Sequence, residues 1–570
     1  MNRRLCRKAI GCLLALLLVG CSAAHYRKTA DHDAYAVIRQ KSPKVPNMEP
    51  NFTIERTNQL SLDGLPLSTN APEFLGPDGE REVGSRVLRL EDALDIAVKY
   101  SRAYQSRKEQ LYLSALSLTT ERHAFTPIFS GAVSGNFHGE SQATNISTTI
   151  TNSGIVTTNH SIAFVEEDKL TGGTSIDASW LIKGVGKLTT AFTADFLRYV
   201  SGNPRPANSA SLTATFVSPL MRDAGYKSQV EALTQAERSL LYDLRDFTRY
   251  RRDFSVQIAT AYYGVLSGRD AVRNNFLNLQ SSRKNAERTR ALAEEGRVTQ
   301  SDLGRLAQQE LSAESAWINA IRSYKQALDN FKLQLGMTIN ERIILSDSEL
   351  EALQIRHPEI PVEDSIQVAL AARLDYLTSK DKLVDSGRKL KLAADKLKPG
   401  LNLTTSVTLS PDSAKANGFA LPELNRYSYD AGLNFDPGLD KTADRYGYRS
   451  ALINRDIAAR AVDQQEDEIK LQVRDSWRSL DSAKRNFEIS EIGVKLAERR
   501  VEEQTLLAEL GRAKAQDQVD AQNDFVNSKN QRTQALVAHT IARLQFWNNL
   551  GILYIKERGQ WEEIQNAKAN

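Results

Sequence analysis

The stretch LAELGRAKAQDQVDA, Leu507–Ala521, interrupts a long charged run of helical character with a glycine, Gly511, and places acids shortly after it, Asp517 and Asp520. A near copy, LAEEGRVTQSDLGRL, occupies Leu292–Leu306, 215 residues earlier. At that same spacing Gly296 aligns with Gly511, Arg297 with Arg512, Asp302 with Asp517 and Phe331 with Phe546; Leu335-Gly336 aligns with Leu550-Gly551. Register held without a gap over a whole helical hairpin is the mark of an internal duplication.

Each copy repeats one order of parts. A helix rich in alanine and leucine comes first, over about Leu90–His123 in one half and Val362–Leu397 in the other. Each is stopped by a proline, Pro127 or Pro399, where a helix cannot propagate. Strands of period two follow, predicted at about 127–137 and 210–218 in the first half and 400–410 and 428–436 in the second. In GLNLTTSVTLS, Leu401, Leu403, Val407 and Leu409 alternate with Asn402, Thr404, Ser406 and Thr408. In SYDAGLNFD, Tyr429, Ala431, Leu433 and Phe435 alternate with Ser428, Asp430, Gly432 and Asn434. One face is apolar and the other small and wet, as in a barrel around water. The outer sheet of a soluble sandwich shows the same alternation. A Thr/Ser/Asn-rich insert over about 139–161 reads as an exposed loop. SIDASW and LTTAFTADF, further on, read as additional or extended strands and leave the strand count open.

Long helices complete each half, over about Tyr226–Glu294 and Tyr448–Glu509. No proline occurs between Pro219 and Pro358. Rods of this length, roughly 100 Å, are not needed inside a compact domain and point to coiled-coil packing. Gly296 and Gly511 end the rods as residues tolerant of left-handed backbone do, and returning helices run on to Gly336 and Gly551. Acids near a helix start are favoured by its free amides, so Asp302 reads both as a cap and as a site residue. Asp517 and Asp520, three apart, share one face.

The N-terminus carries Arg3, Arg4, Arg7 and Lys8, then the apolar CLLALLLV, then Leu18-Val19-Gly20-Cys21. This is the pattern of a signal peptide, residues 1–20, that ends in a lipoprotein box. Cleavage would leave Cys21 as a lipidated first residue; the alternative is an ordinary secretory signal with a chance cysteine. Cys6 and Cys12 leave with the signal, so neither a disulfide framework nor a cysteine-based zinc site follows. Residues 21–85, rich in Pro, Asn, Asp and Gly, read as an extended arm with little packing, and 557–570 as a loose tail. The formal net charge of +4 loses four positive charges with the signal, so the mature chain is near neutral and has no basic tract for nucleic acid. No later apolar run approaches the ~18 residues of a spanning helix. There is no H-E-x-x-H, Walker loop or G-x-S-x-G elbow, and no histidine pair at metal spacing, so neither an enzyme nor a cofactor is expected.

On the duplicated helix-strand-strand-helix plan and the glycine-to-aspartate spacing, the chain resembles the TolC-like outer-membrane efflux family over about Leu90–Tyr554, its lipidated members especially. The resemblance implies an α/β membrane protein and a homotrimer. Each protomer would give four strands to a shared 12-stranded transmembrane β-barrel, continued by a long periplasmic α-helical barrel of coiled-coil hairpins. The repeats would be 86–345, with a hairpin tip at 296, and 346–556, with a tip at 511. Asp517 and Asp520 match the family's two aspartates that ring and narrow the tunnel. Gly296, Arg297, Val298 and Asp302, with Gly511, Arg512 and Ala513, match tips presented to a periplasmic adaptor. The family's pore-side arginine comes two places after the second glycine; here Arg512 comes one place after, and Ala513 holds the expected position.

The implied function is the exit duct of a tripartite efflux or secretion system. It would conduct passively from a periplasmic adaptor and an inner-membrane pump through the Gram-negative outer membrane, anchored there by lipid on Cys21. A lipid-anchored periplasmic coiled-coil scaffold or adaptor, with no pore, would account for the rods and Cys21. It leaves unexplained the strands set between helices at equivalent points.

Overall fold

The computed structural model describes residues 23–55, 62–152, 155–199, 207–296, 299–412, 421–510, 512 and 514–562; Cys21, Arg297, Val298, Gly511 and Ala513 lie outside them. The chain divides into two compact units. One comprises residues 1–115, 240–382 and 459–570, the other 116–239 and 383–458, so both sequence halves contribute to both units.

The elements in chain order are helix α1 (Ala23–Lys41), strand β1 (Arg86–Leu88), helices α2 (Leu90–Tyr100) and α3 (Arg102–His123), and strands β2 (Ile128–Asn152), β3 (Ile155–Ile182), β4 (Gly186–Tyr199) and β5 (Ala207–Pro219). Then come a helical turn α4 (Tyr226–Gln229), the long α5 (Glu231–Glu294), the returning α6 (Gln300–Leu335), β6 (Ile343–Leu345) and a second helical turn α7 (Ser348–Glu351). The second half repeats the plan with α8 (Val362–Ala372), α9 (Leu374–Asp395), β7 (Gly400–Leu409), β8 (Tyr427–Asp436), the long α10 (Thr442–Glu509) and the returning α11 (Ala515–Leu550). A short pair, β9 (Tyr554–Ile555) and β10 (Trp561–Glu562), closes it.

In the helical unit the duplication is visible as a contact made twice. Both returning helices end on a left-handed glycine, Gly336 at φ 81° and Gly551 at φ 76°. Each glycine packs where the first helix of its own half is broken. A Cβ on Gly336 would lie 2.1 Å from the carbonyl oxygen of Tyr100, and one on Gly551 would lie 3.3 Å from that of Ala372. The expected single helices are therefore two each, α2/α3 broken at Ser101 and α8/α9 broken at Arg373, both in extended backbone. Neither break carries a glycine or proline; close approach of another backbone decides it. The short strands β1 and β6 pair in parallel, Arg86–Leu88 on Ile343–Leu345.

The N-terminal arm is not the loosely packed extension expected. Residues 23–41 are helical, with Ala34, Val37 and Ile38 buried, and Tyr112 donates to Asp31 at 2.6 Å. Further along, the Trp317 indole donates to the Phe74 carbonyl at 2.8 Å. Buried Arg269 donates to both oxygens of Glu82 at 2.8 Å, and Tyr324 donates to the same carboxylate at 3.1 Å. Arg269 also forms an ion pair with Asp347 at 3.1 Å, and its Nε makes no hydrogen bond among the described residues; removing either partner of such a buried pair would leave a charge uncompensated. The tail is folded at least to residue 562, where Trp561 pairs with Ile555.

The second unit holds one antiparallel sheet of six strands in the order β2-β3-β4-β5-β7-β8. Four come from the first half and two from the second, which corrects the expectation of four in all. The strands anticipated near 127–137, 210–218, 400–410 and 428–436 are present. The additional two are β3 and β4, which contain SIDASW and LTTAFTADF. The insert read as a loop over 139–161 is strand backbone in its described part: β2 continues to Asn152 and β3 starts at Ile155. Its Thr, Ile and Val residues favour extended backbone once a neighbouring strand pairs with them. Between Ile155 and Asp168, before the Lys169–Tyr199 pair, β3 is paired among the described residues with β2 alone.

Ala at position 336 meets both a positive φ and a backbone oxygen, whereas Gly304 has open space around it. Gly336→Ala is expected to destabilise the fold by about 2–4 kcal/mol and Gly551→Ala by less. Gly304→Ala, in a helix interior, should be neutral or slightly stabilising. Helical circular dichroism followed through thermal unfolding in detergent reads the ranking; equal midpoints for the first two variants would contradict it.

Candidate functional site

Two features are candidates for function, the two-faced sheet and the pair of hairpin tips, and each belongs to one unit. The sheet's register aligns Phe129 with Ala178, Val133 with Thr174 and Phe137 with Leu170. It carries the same face on through Ile176 with Phe192, and Trp180 with Leu188, then through Leu188 with Phe216, and Phe192 with Leu212. From there it passes to Leu212 with Leu409, and Ala214 with Val407, and to Leu409 with Tyr427, Leu403 with Leu433 and Leu401 with Phe435. Side chains alternate between faces along every strand, so these residues form one apolar surface across all six. Most of this surface is open: Val133 is 83% exposed, Phe129 75% and Tyr429 76%, while Leu188, Phe192 and Phe216 are half-buried. The opposite face carries Ser130, Ser134, Asn136, Asp177, Thr189, Thr193, Thr213, Thr215, Asn402, Thr404, Ser406, Ser428 and Asp430.

Along β2 the apolar face runs from Phe129 to Phe137, matching the ~9–11 residues of a strand crossing a bilayer. It then meets charge: Gly139 pairs with Asp168, and Ser141 with Glu166. Among the described residues no helix is long and apolar enough to cross a membrane.

At the first tip α5 ends in a turn closed by Gly296 N–H to the Ala293 carbonyl at 3.0 Å, with Gly296 at φ 75°. Thr299 caps α6. Its hydroxyl accepts from the Asp302 N–H at 3.2 Å and donates to the Asp302 carboxylate at 2.6 Å. Asp302 is thus engaged in a reciprocal cap, the structural one of its two readings.

The second tip lacks that device. Lys514 stands where Thr299 stands in the first copy, and its side chain makes no cap. The Arg512 N–H closes the end of α10 on the Leu507 carbonyl at 2.8 Å. Asp517 is exposed, its N–H donates to the Lys514 carbonyl at 3.1 Å, and its carboxylate has no hydrogen bond or ion pair among the described residues; Asp520 is half-buried and accepts from the Gln516 amide at 2.9 Å. Ala515 packs with Ala286 and Leu306, with Val519 beside them, joining α11 to the first hairpin. At about 100° per residue this puts Asp517 on the opposite side of α11 and Asp520 about two-thirds of the way round. The sequence reading missed Asp524, which continues this acidic side by one turn and is ion-paired to Arg500 of α10. The signal was available, since Asp524 is four places after Asp520.

His539 on α11 is fully buried, neither ring nitrogen has a partner among the described residues, and the His357 ring lies 6.1 Å away. Burial, then the charge of Arg543, His357 and Lys484, pushes its imidazole down to about 4. No group of three or more His, Cys, Asp or Glu able to hold a metal ion occurs among the described residues.

No family model matches the sequence, and no curated protein matches it in sequence. Solved structures do match in fold. The chain is similar to the outer-membrane channel OprN, with 11% identity, a TM-score of 0.56, and 90% of this chain and 98% of that one covered. It is similar to the CmeC outer-membrane channel of Campylobacter jejuni, with 13% identity, a TM-score of 0.57, and 91% and 96% covered. It is also similar to the MtrE outer-membrane channel of Neisseria gonorrhoeae, solved in its open state, with 12% identity, a TM-score of 0.54, and 82% and 90% covered. The fold is that of TolC-type outer-membrane channels.

His539 is neutral in the fold but takes a proton in the unfolded chain below about pH 6.5. Its effect on stability is therefore absent above pH 6.5 and grows more unfavourable as pH falls toward 4, reaching on the order of 3 kcal/mol. Comparing the unfolding midpoints of wild type and His539→Leu between pH 7 and 4.5 should show the wild type losing more; parallel curves would show that His539 does not titrate this way.

Proposed function

We propose that this protein is an outer-membrane exit duct, a passive channel of an efflux or secretion system whose work is conduction rather than catalysis. The observation that carries this is the sheet, apolar on one face and polar on the other across six strands, with the apolar face exposed. In water that face would drive aggregation; in a bilayer it meets lipid while the polar face lines a wet lumen. The similarity in fold to outer-membrane channels supports the same reading.

Three copies assemble, in this proposal, around one passage in the Gram-negative outer membrane, with the helical hairpins in the periplasm. Exposed Ile489, Ile492 and Leu496 along α10 suit packing against a neighbouring copy. Cys21 carries the lipid that holds the N-terminus to the membrane. Gly296, Arg297, Val298 and Asp302 of one tip, and Gly511, Arg512 and Ala513 of the other, meet a periplasmic adaptor, through which an inner-membrane pump supplies the energy. Asp517 and Asp520, repeated in each copy, ring the passage at its narrow end. Carboxylates crowded there attract cations and repel one another, which makes the opening sensitive to salt, pH and divalent ions.

Conductance of the purified full chain in planar bilayers tests this. Asp517→Ala/Asp520→Ala is expected to raise resting conductance several-fold and to weaken block by millimolar divalent cations by about tenfold. Unchanged conductance and block would remove these two residues from the gate, and a wild-type chain that never conducts would remove the duct.

A further inference from the structure

Both margins of the sheet are open. The order β2-β3-β4-β5-β7-β8 gives β2 a neighbour only through β3, and β8 a neighbour only through β7. Every residue of β8 is exposed. In hydrocarbon an unpaired strand edge leaves a row of N–H and C=O groups without partners, at several kcal/mol each, so an open sheet does not persist there. The edges must pair, and the chain offers one complementary match, each edge with the other.

Polarity and parity both fit that match. Six antiparallel strands make the first and last run in opposite senses, so β8 of one copy meets β2 of the next as an antiparallel neighbour. The apolar face is odd-numbered on both, Phe129, Val133 and Phe137 on β2 and Tyr429, Leu433 and Phe435 on β8. Odd-with-odd pairing keeps lipid-facing residues on one side and water-facing residues on the other; a one-residue slip would invert every one. The ten residues of β8 suffice for one bilayer crossing. A single copy cannot close alone, since six strands fall below the ~8 of the smallest membrane barrels.

We propose that three copies of this sheet close edge to edge, β8 to β2, into one barrel of about eighteen strands. This rests on the trimeric duct above and deepens it. At a strand spacing of about 4.8 Å and a tilt of about 40°, eighteen strands enclose a backbone diameter of about 36 Å, against about 24 Å for twelve. The extra width comes from β3 and β4, three copies of which add six strands. The barrel is then wide enough for a large hydrated cargo, and selection falls to other parts of the passage.

All three cysteines of the chain lie at or before residue 21, so thiols placed in the sheet meet no others there. In the full-length protein in outer membranes, Ser130→Cys, Ala132→Cys, Ser134→Cys and Asn136→Cys are each combined with Ser428→Cys, Asp430→Cys, Gly432→Cys and Asn434→Cys, then oxidised. At least one lumen-parity pair is expected to give a covalent ladder that ends at three chains, while Val133→Cys with Asn434→Cys, of mixed parity, does not cross-link. A ladder ending at two chains would mean a twelve-strand closure by two copies and overturns the proposal, as does failure of every pair. End-on electron micrographs of the unmodified protein give an independent reading: a ring of about 36 Å upholds eighteen strands and one of about 24 Å rejects them. Bilayer conductance reports the duct separately: a cross-linked three-copy ring that never conducts refutes transport and leaves the barrel standing.

Discussion

A sheet with one greasy face and one wet face can satisfy both only at a boundary between oil and water. Here the boundary is drawn strand by strand. Register transmits it from Phe137 beside Leu170, through Ile176 beside Phe192, to Leu433 and Phe435 on the last strand, without a change of parity. A helix core normally covers such a face in a soluble protein. In the sheet unit these residues stay exposed, so the solvent that covers them decides what the protein is. On the β2–β3 ribbon Asp168 and Glu166 interrupt the apolar face beyond Phe137 and Leu170, and exposed Phe164 and Ile162 resume it.

The duplication supplies the rest of the architecture through one repeated backbone contact. Gly336 against Tyr100 and Gly551 against Ala372 each lock the end of a returning helix into the break of the first helix of the same half. At Gly336 no side chain fits between the backbones, and at Gly551 a Cβ would be a tight contact. The contact also explains why the opening helix of each half bends where its sequence shows no breaker. Once locked, the hairpin that follows the strands is tied to the segment that precedes them, and a short parallel pair, β1 with β6, joins residues 86–88 to 343–345.

Much of this was legible. Helix ends at Gly336 and Gly551, the turn at Gly296, and β5, β7 and β8 followed from glycine, proline and period-two alternation; Gly511 lies outside the described residues. What escaped reading did so for physical reasons. Between Gly139 and Ser161 the apolar positions are spaced widely among Thr, Ser and Asn, so the stretch has extended propensity but little hydrophobic pattern, and pairing alone reveals it as strand. The arm helix hides its buried stripe, Ala34, Val37 and Ile38, among His, Lys, Arg and Asp. Ser101 and Arg373 are ordinary residues whose backbone is set by another part of the chain. The Glu82–Arg269–Tyr324 cluster joins residues 242 positions apart and leaves no local trace.

The two tips show how one duplicated device can divide its labour. Asp302 and Asp517 occupy the same place in their copies, yet their carboxylates have different fates. Thr299 takes the first into a cap, and Lys514, at the matching position, offers no hydroxyl to take the second. Asp520 corresponds to Arg305, so the next turn is reversed in charge between the copies. Asp524 adds a third acid on the same side, held by Arg500. A helix start needs only one of these acids, and a capping role accounts for none beyond it. The acids that differ between otherwise matched tips, Asp520 and Asp524, are therefore ones that helix capping does not explain.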